Sequence, residues 1–522
     1  MHASKRMAYS GRSANPTCPG LIAAAAVCFG LLTVTGSGCT SSASRPDESA
    51  VGLEQRLRAD IAFLSDDQLE GRGTPSRGLD LAALYLTSQL SAAGVPPAVS
   101  DSYRQQYSLG EYMPAEADVT VRVNGKLIAP GDYVFWNVAY DPGRGPISLP
   151  LVFAGHGIVA EDKNVDDLSS LDLDGTAVVA KKGAPWPLNP ADVFGPDRAM
   201  GKLIGSTVRG AGMLVYLSDE LDQGEEAEAQ FFHEMKNTGV CFLREPEVKH
   251  ASALNPVLVI RPGVFAAAMN KDIEQLEPGP LGAGIAIAIQ TEIRGGAASN
   301  VLGMIEGSDP SLRDEWVVLS AHYDHIGAHQ APPGQDGIWN GADDNASGTA
   351  AVLELARRLA RNPGKRSVLF LFTSGEDRGI LGSAFYAARP LVPMERVAAQ
   401  INLDMIGRSQ GSVQAIADGS TALFEQTVRL GGSHGIEVIP DQQPTWRVVY
   451  LTDAYHFARA DVPYVFFFTG THPDYHQPSD TADKIQYEAL VRIVETAADL
   501  TRSYADGGAR PAFERPKWFV TP

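Results

Sequence analysis

Two hydrophobic textures divide this chain. After about residue 282, apolar runs that end in polar residues alternate with stretches of helical period. WVVLSAHYDH, RSVLFLFTSGED, QINLDMIG and YVFFFTG read as buried strands. SGTAAVLELARRLARN and GILGSAFYAARPLV read as helices, as does a closing stretch whose Leu490, Ile493, Val494, Ala497 and Leu500 share a face. This alternation predicts an α/β fold, a mixed, largely parallel sheet with helices on both faces. Ligands of such sheets lie outside the carboxyl ends of the strands.

Between about Val119 and Ile260 the runs are shorter and turn-bounded: VTVRVNG, YVFWNVAY, SLPLVFAGHG, GTAVVAKKG, GMLVYLSD and NPVLVIRPG. That texture predicts a β-rich module inserted into the α/β domain. Upstream, Leu57, Ile61 and Leu64 fall on one helical face, LEGRGTPSRG interrupts, and LDLAALYLTSQLSAAG resumes the helical period. A chain of 522 residues exceeds one compact core. The expected division is 1–39 targeting segment, 40–130 first part of the α/β domain, 131–265 insert and 266–522 remainder.

The first stretch carries Lys5, Arg6 and Arg12, then an apolar run from Leu21 to Val34 too short to span a bilayer comfortably. Small residues precede Cys39, which resembles a bacterial lipoprotein signal, although Gly36 stands where an aliphatic is usual. The reading is export to the periplasm or cell surface, with membrane attachment through a lipidated Cys39. Cys241 then stands alone in the mature chain as a buried structural thiol. Charge changes the picture in one respect. With 43 Lys and Arg against 62 Asp and Glu, the chain lacks the basic excess that a nucleic-acid partner requires. The acidic run from Asp219 to Gln230 reads as a solvated face.

Candidate chemistry gathers where apolar runs turn polar. His322, Asp344, Asp377, Asp404 and His476 supply two imidazoles and three carboxylates, a set that suits two Zn²⁺ ions about 3.5–4 Å apart with one carboxylate bridging. Asp344, in GADDNASG before a helix start, is the candidate bridge; a capping role for residues 343–347 is the alternative. Asp324 lies two positions from His322, on the same side of a strand, and is read as the acid that orients its ring. His325 is read as facing away, and His456, His472 and Asp343 as outside the ligand set. Glu376 and Asp377 are adjacent and diverge at a strand end, so one can ligate metal while the other is a candidate general base. A cation lowers the pKa of water towards about 7 and a carboxylate takes its proton. Tyr475 offers a hydroxyl to a developing oxyanion.

AHYDHIG, GADDNASGTAAVLELA, SGEDRGILGS, INLDMIGR and HPDYHQPSDTADK resemble the motifs of the M28 family of dinuclear zinc aminopeptidases. DIAFLSDDQLEGRGTPS is similar to the opening of bacterial members, and residues 151–183 resemble the protease-associated (PA) domain that many carry. The resemblance implies a zinc exopeptidase-like fold acting on peptide substrates. It implies one zinc on His322, Asp344 and Asp404, and a second on Asp344, Asp377 and His476. It also implies Glu376 as the base, Tyr475 on the tetrahedral intermediate and a cis peptide bond after Asp344. Asp377 departs from the family, which usually has Glu there, and so do residues 452–457, where a histidine is missing. Arg408 is open between a substrate contact and an ion pair. Glutaminyl cyclases and carboxypeptidases among the relatives keep another substrate open, and a non-catalytic receptor-like lipoprotein is the reading from a different class.

Overall fold

The structure is a computed structural model. It describes residues 50–519 apart from 114–117, 137–139, 161–162, 188–194, 222–238, 246–247, 249–254, 330, 332–333, 443 and 445–446. The targeting segment and Cys39 lie outside the described residues, as does most of the acidic run. No described helix is long and apolar enough to cross a membrane.

A nine-stranded sheet forms the centre of the α/β region. Its middle is the parallel set Ser367–Thr373, Trp316–His322, Val397–Leu403 and Tyr464–Phe468, in that spatial order. Ser367–Thr373, Val397–Leu403 and Tyr464–Phe468 are buried at every position, which is why they read as continuous apolar runs. Antiparallel pairings flank this set on both sides, and a further parallel pair, Ser412–Ile416 with Glu437–Ile439, forms one edge, so the sheet is mixed with a parallel centre. Side chains alternate between two cores. Val317 and Leu319 pack with helices Ala50–Leu64, Gly348–Arg361 and Tyr487–Ala505, while Val318 packs with Tyr386 and Phe457 on the other face.

A second sheet of eight strands has its own cores. Its parallel strands are Ile147–Phe153, Ala177–Lys181, Met213–Leu217 and Val257–Ile260. It also takes in Val119–Val123 and Gly279–Ile289, so its limits are wider than the expected 131–265. The long strand Gly279–Ile289 mixes Gly and Ala with Ile, which hid its period-two pattern.

One strand from within this stretch belongs to the other sheet. Val240–Leu243 pairs antiparallel with Arg104–Tyr112 and forms an edge of the nine-stranded sheet. Helix Ala199–Thr207 adds a second tie, since Ile204 joins Val449, Tyr450, Tyr455 and Phe519 in a shared apolar cluster. Cys241 is buried on that edge strand, and burial pushes its thiol up to about 12.

Candidate metal centre

Parallel strands that lie side by side bring their carboxyl ends to one edge. His322 closes its strand, Glu376 and Asp377 follow Ser367–Thr373 by three and four residues, and Asp404 follows Val397–Leu403 directly. Asp344 lies in the turn Ala342–Ser347, which leads into helix Gly348–Arg361. That turn is tightly fitted. Gly341 adopts a left-handed φ of 59°, and a Cβ there would meet the Asp344 carbonyl oxygen at 2.1 Å and the His325 ring at 2.5 Å. The peptide bond from Asp344 to Asn345 is cis.

Asp344 stands between two groups of side chains. His322 Nε2 lies 3.2 Å from Asp344 Oδ1 and 3.2 Å from Asp404 Oδ1. His476 Nε2 lies 3.2 Å from Asp344 Oδ2 and 3.4 Å from Asp377 Oδ1. The two oxygens of one carboxylate thus face two imidazoles, the disposition a bridging ligand needs. His476 Nε2 is buried and makes no hydrogen bond among the described residues, although both acids are in reach. A buried imidazole nitrogen converging with the oxygens of two carboxylates fits a cation between them.

The electrostatics agree with that fit. Burial alone would raise the Asp344 carboxyl, but His325, His322 and His476 hold it well below the usual range. Burial and the Asp344 charge push against Asp377, yet His325 and His476 bring it below its ordinary value. Asp404 moves the other way, pushed up to about 6 by burial despite His322. Glu376 rises well above the carboxylate range through burial, opposed by His322 and reinforced by Asp404 and Asp377. Packed carboxylates of this kind stay ionised only beside compensating cations.

His325 corrects the sequence reading. Its Nδ1 lies 2.9 Å from Asp377 Oδ2 and 3.6 Å from Asp344 Oδ2, so it faces the site rather than away from it. The strand ends at His322, so the alternation that placed His325 on the opposite side no longer applies three residues on. His325, Asp344 and Asp377 in fact bring ligand atoms within 4.8 Å of one another, as do His322, Asp344 and Asp404. Asp324 is 3.6 Å from His322 Nδ1, and its hydrogen bonds go to the Glu376 N–H at 3.2 Å and the Thr74 hydroxyl at 3.0 Å. It sits against His322 but also fixes the backbone of Glu376.

Several other residues are accounted for. His472 Nε2 lies 3.1 Å from Asp343 Oδ2, and Asp343 Oδ1 accepts from the Gly407 N–H at 2.6 Å, so both support the turn. His456 is buried edge-on to Tyr455. Arg408 donates to Asp474 at 2.9 Å, an ion pair. Asp480 Oδ2 accepts from the N–H groups of Asp343 and Asp344 at 2.9 and 3.1 Å, a role that the loop sequence did not signal.

Beside the acids lies a cavity of about 70 Å³ lined by Met405, Val448, Leu451, Phe466, Phe468 and Tyr475. His322, Asp344, Glu376, Asp377 and Asp404 close its polar end. The Tyr475 ring stacks on His476 with centroids 3.9 Å apart, and burial with Asp344 and Asp377 nearby keeps its hydroxyl protonated. The arrangement therefore offers an acid-rich floor, a protonated hydroxyl and an apolar wall in one cleft.

The stretch that carries this geometry is also the stretch that is similar to known proteins. Residues 300–501 match the model of Peptidase family M28. Over 151 residues the chain is 32% identical to a probable zinc metalloprotease of Pyrenophora tritici-repentis, a match that takes in 26% of this chain and 30% of that protein. Over 263 residues it is 27% identical to uncharacterized protein YfbL of Escherichia coli, covering 44% of this chain and 78% of that one. The chain spans under a third of the length of the first fungal relatives. An aminopeptidase from Aneurinibacillus sp. strain AM-1 shares the fold with a TM-score of 0.51, over 90% of this chain and 98% of its own, at 18% identity.

Proposed function

We propose, from the premise that residues 300–501 form a peptidase family M28 domain, that this protein is a dinuclear zinc exopeptidase. Its substrates would be peptides with a free N-terminus and an apolar first residue. The observation that carries the reading is Asp344, whose two carboxylate oxygens face His322 with Asp404 on one side and His476 with Asp377 on the other. Those residues would hold the two ions, one on His322, Asp344 and Asp404 and one on Asp344, Asp377 and His476. Zinc, when bound, acts as a Lewis acid on a carbonyl oxygen and lowers the pKa of water.

The chain's own residues supply the rest. Glu376 lines the cleft beside His322 and Asp404, placed to take a proton from water and return it to the leaving amine. Tyr475, protonated and stacked on His476, donates its hydroxyl to the oxygen that gains charge. The cavity wall of Met405, Val448, Leu451, Phe466 and Phe468 would bury an apolar first side chain and exclude a charged one, which would lose its hydration unpaired. Export and lipid attachment through Cys39 complete the proposal, on the strength of the N-terminal sequence.

The test uses purified mature protein supplied with Zn²⁺ and a series of aminoacyl-nitroanilides, with Glu376→Ala alongside. Leucyl and methionyl substrates are expected to exceed aspartyl and lysyl ones. Glu376→Ala is expected to lower kcat by about 10²–10⁴-fold while zinc content stays unchanged. Hydrolysis indifferent to that substitution sinks the mechanism. Two bound zincs without amine release point to another substrate, and no bound metal points to a receptor.

A further inference from the structure

Residues 70–75 lie more than two hundred positions from the metal-binding segments, yet they run through the middle of them. Gly71 adopts a left-handed φ of 64°, and a Cβ there would meet the carbonyl oxygens of Gly327 and Trp339 at 2.4 and 2.5 Å. The chain is therefore threaded between the loop after His322 and the loop before Asp344. Gly73 forms a parallel bridge with His325, and the His325 N–H donates to the Arg72 carbonyl at 3.3 Å.

Two side chains extend that contact. Arg72 is 1% exposed, and its guanidinium donates to the carbonyls of Tyr323 at 2.9 Å, Asn340 at 2.7 Å, Gly341 at 3.0 Å and Leu64. Tyr323 adjoins His322, and Gly341 opens the turn that carries Asp344. Thr74 is 2% exposed; its hydroxyl donates to Asp324 Oδ2 at 3.0 Å and accepts from the Gly375 N–H at 3.1 Å. Asp324 in turn accepts from the Glu376 N–H. One short segment thus holds the loops of His322, Asp344 and the Glu376–Asp377 pair.

The choice of residues is informative. A buried guanidinium whose hydrogen bonds all go to carbonyls is a costly way to fill space. Its charge is met at longer range by Asp324, Asp344, Asp377 and Asp480, so it remains cationic although burial lowers it to about 10. An apolar side chain would pack the same volume, but it could neither fasten two loops at three points and a helix end at a fourth nor balance those acids.

We propose that residues 70–75 are a strap that sets the spacing of the metal-binding loops, with Arg72 and Thr74 as positioning residues that govern zinc affinity rather than the fold. The inference rests on the zinc reading above. It is tested on the full mature chain by chelator competition, which reads zinc stoichiometry and affinity, and by the visible spectrum of the Co²⁺-substituted protein. Melting of the metal-free protein reports the fold. Thr74→Val, which keeps the shape, is expected to bind zinc about 10–100-fold more weakly and to alter the cobalt spectrum, with the metal-free melting temperature close to wild type. Arg72→Lys keeps the charge without the fork and is expected to weaken binding within the same range. Should Arg72→Lys fail to fold, Thr74→Val decides. Wild type binding two zincs, with Thr74→Val matching its affinity and spectrum, overturns the strap alone. Wild type binding no zinc overturns the metal reading and the strap together.

Discussion

Both sheets contain four consecutive parallel strands, and both open a cleft where those strands end. The cleft of the eight-stranded sheet is the larger, about 560 Å³ against about 70 Å³, and it too is lined by ionisable residues. Its charges, however, pair in the open. Lys181 lies 3.2 Å from Glu274, which is 75% exposed, and Lys182 lies 2.8 Å from Glu220, which is 40% exposed. In the nine-stranded sheet Asp344, Asp377 and Asp404 are nearly all covered, and imidazoles rather than lysines face them. Topology provides a place in each case, whereas chemistry follows the charges that are buried without a full set of partners. Cleft size is a poor guide to which is which.

Metal removal is the strongest way to break this contrast. In the metal-free protein Asp404 is pushed up from 3.8 to about 6 by burial, and His476 up from 6.5 to about 10, where Asp344 and Asp377 outweigh burial. Both folded-state values exceed the unfolded ones. Stability from such groups is complete below the unfolded value and is lost as pH rises through the folded one. Metal-free protein is therefore expected to lose stability as pH rises through about 6 from Asp404 and through about 10 from His476. Zinc competes with protons for the same atoms, so the gap in Tm between zinc-loaded and metal-free protein should widen from about pH 5.5 to about pH 8. Scanning calorimetry in zinc and in chelator measures it, with about 4 kcal/mol per site expected at a thousandfold excess over Kd. A gap that narrows with pH breaks the assignment of these residues as ligands.

Asp377→Glu sharpens the comparison within the site. The added methylene drives the carboxylate into His325, now 2.9 Å away, and should weaken zinc binding by up to about tenfold in a chelator titration. A gain in affinity shows instead that the short acid is a compromise. The smallest effect belongs to the second cleft. Lys182→Met removes an ion pair that is open to water, so it should change stability by less than about 1 kcal/mol and leave kcat/KM within about twofold. A larger loss of activity gives that cleft a part in the reaction.

Much of the nine-stranded sheet was legible because its central strands are buried on both faces and most of the candidate ligands sit where those runs stop. His322, Asp377 and Asp404 could be placed by that rule, Asp344 and His476 by the motifs around them, and the structure brings the five together. What escaped depends on contacts between distant segments. His325 lies beyond the strand that made its neighbours predictable. Arg72 and Thr74 stand in a polar, glycine-rich stretch that reads as a loop, and only the partners at positions 323–341 and 375 give them a purpose. Val240–Leu243 reads like any other short apolar run of its region, and nothing local says that it pairs outside its own sheet.

That last strand bears on how the molecule can be taken apart. The eight-stranded sheet invites treatment as a cassette, to be excised, exchanged or grafted between proteins. Removing residues 119–289 would also withdraw Val240–Leu243 and leave Arg104–Tyr112 as an unprotected edge, open to pairing with other chains. A truncation meant to ask what the second domain contributes would then report self-association of the first. Shortening loops within the domain, with the 240–243 strand kept in place, separates the two questions.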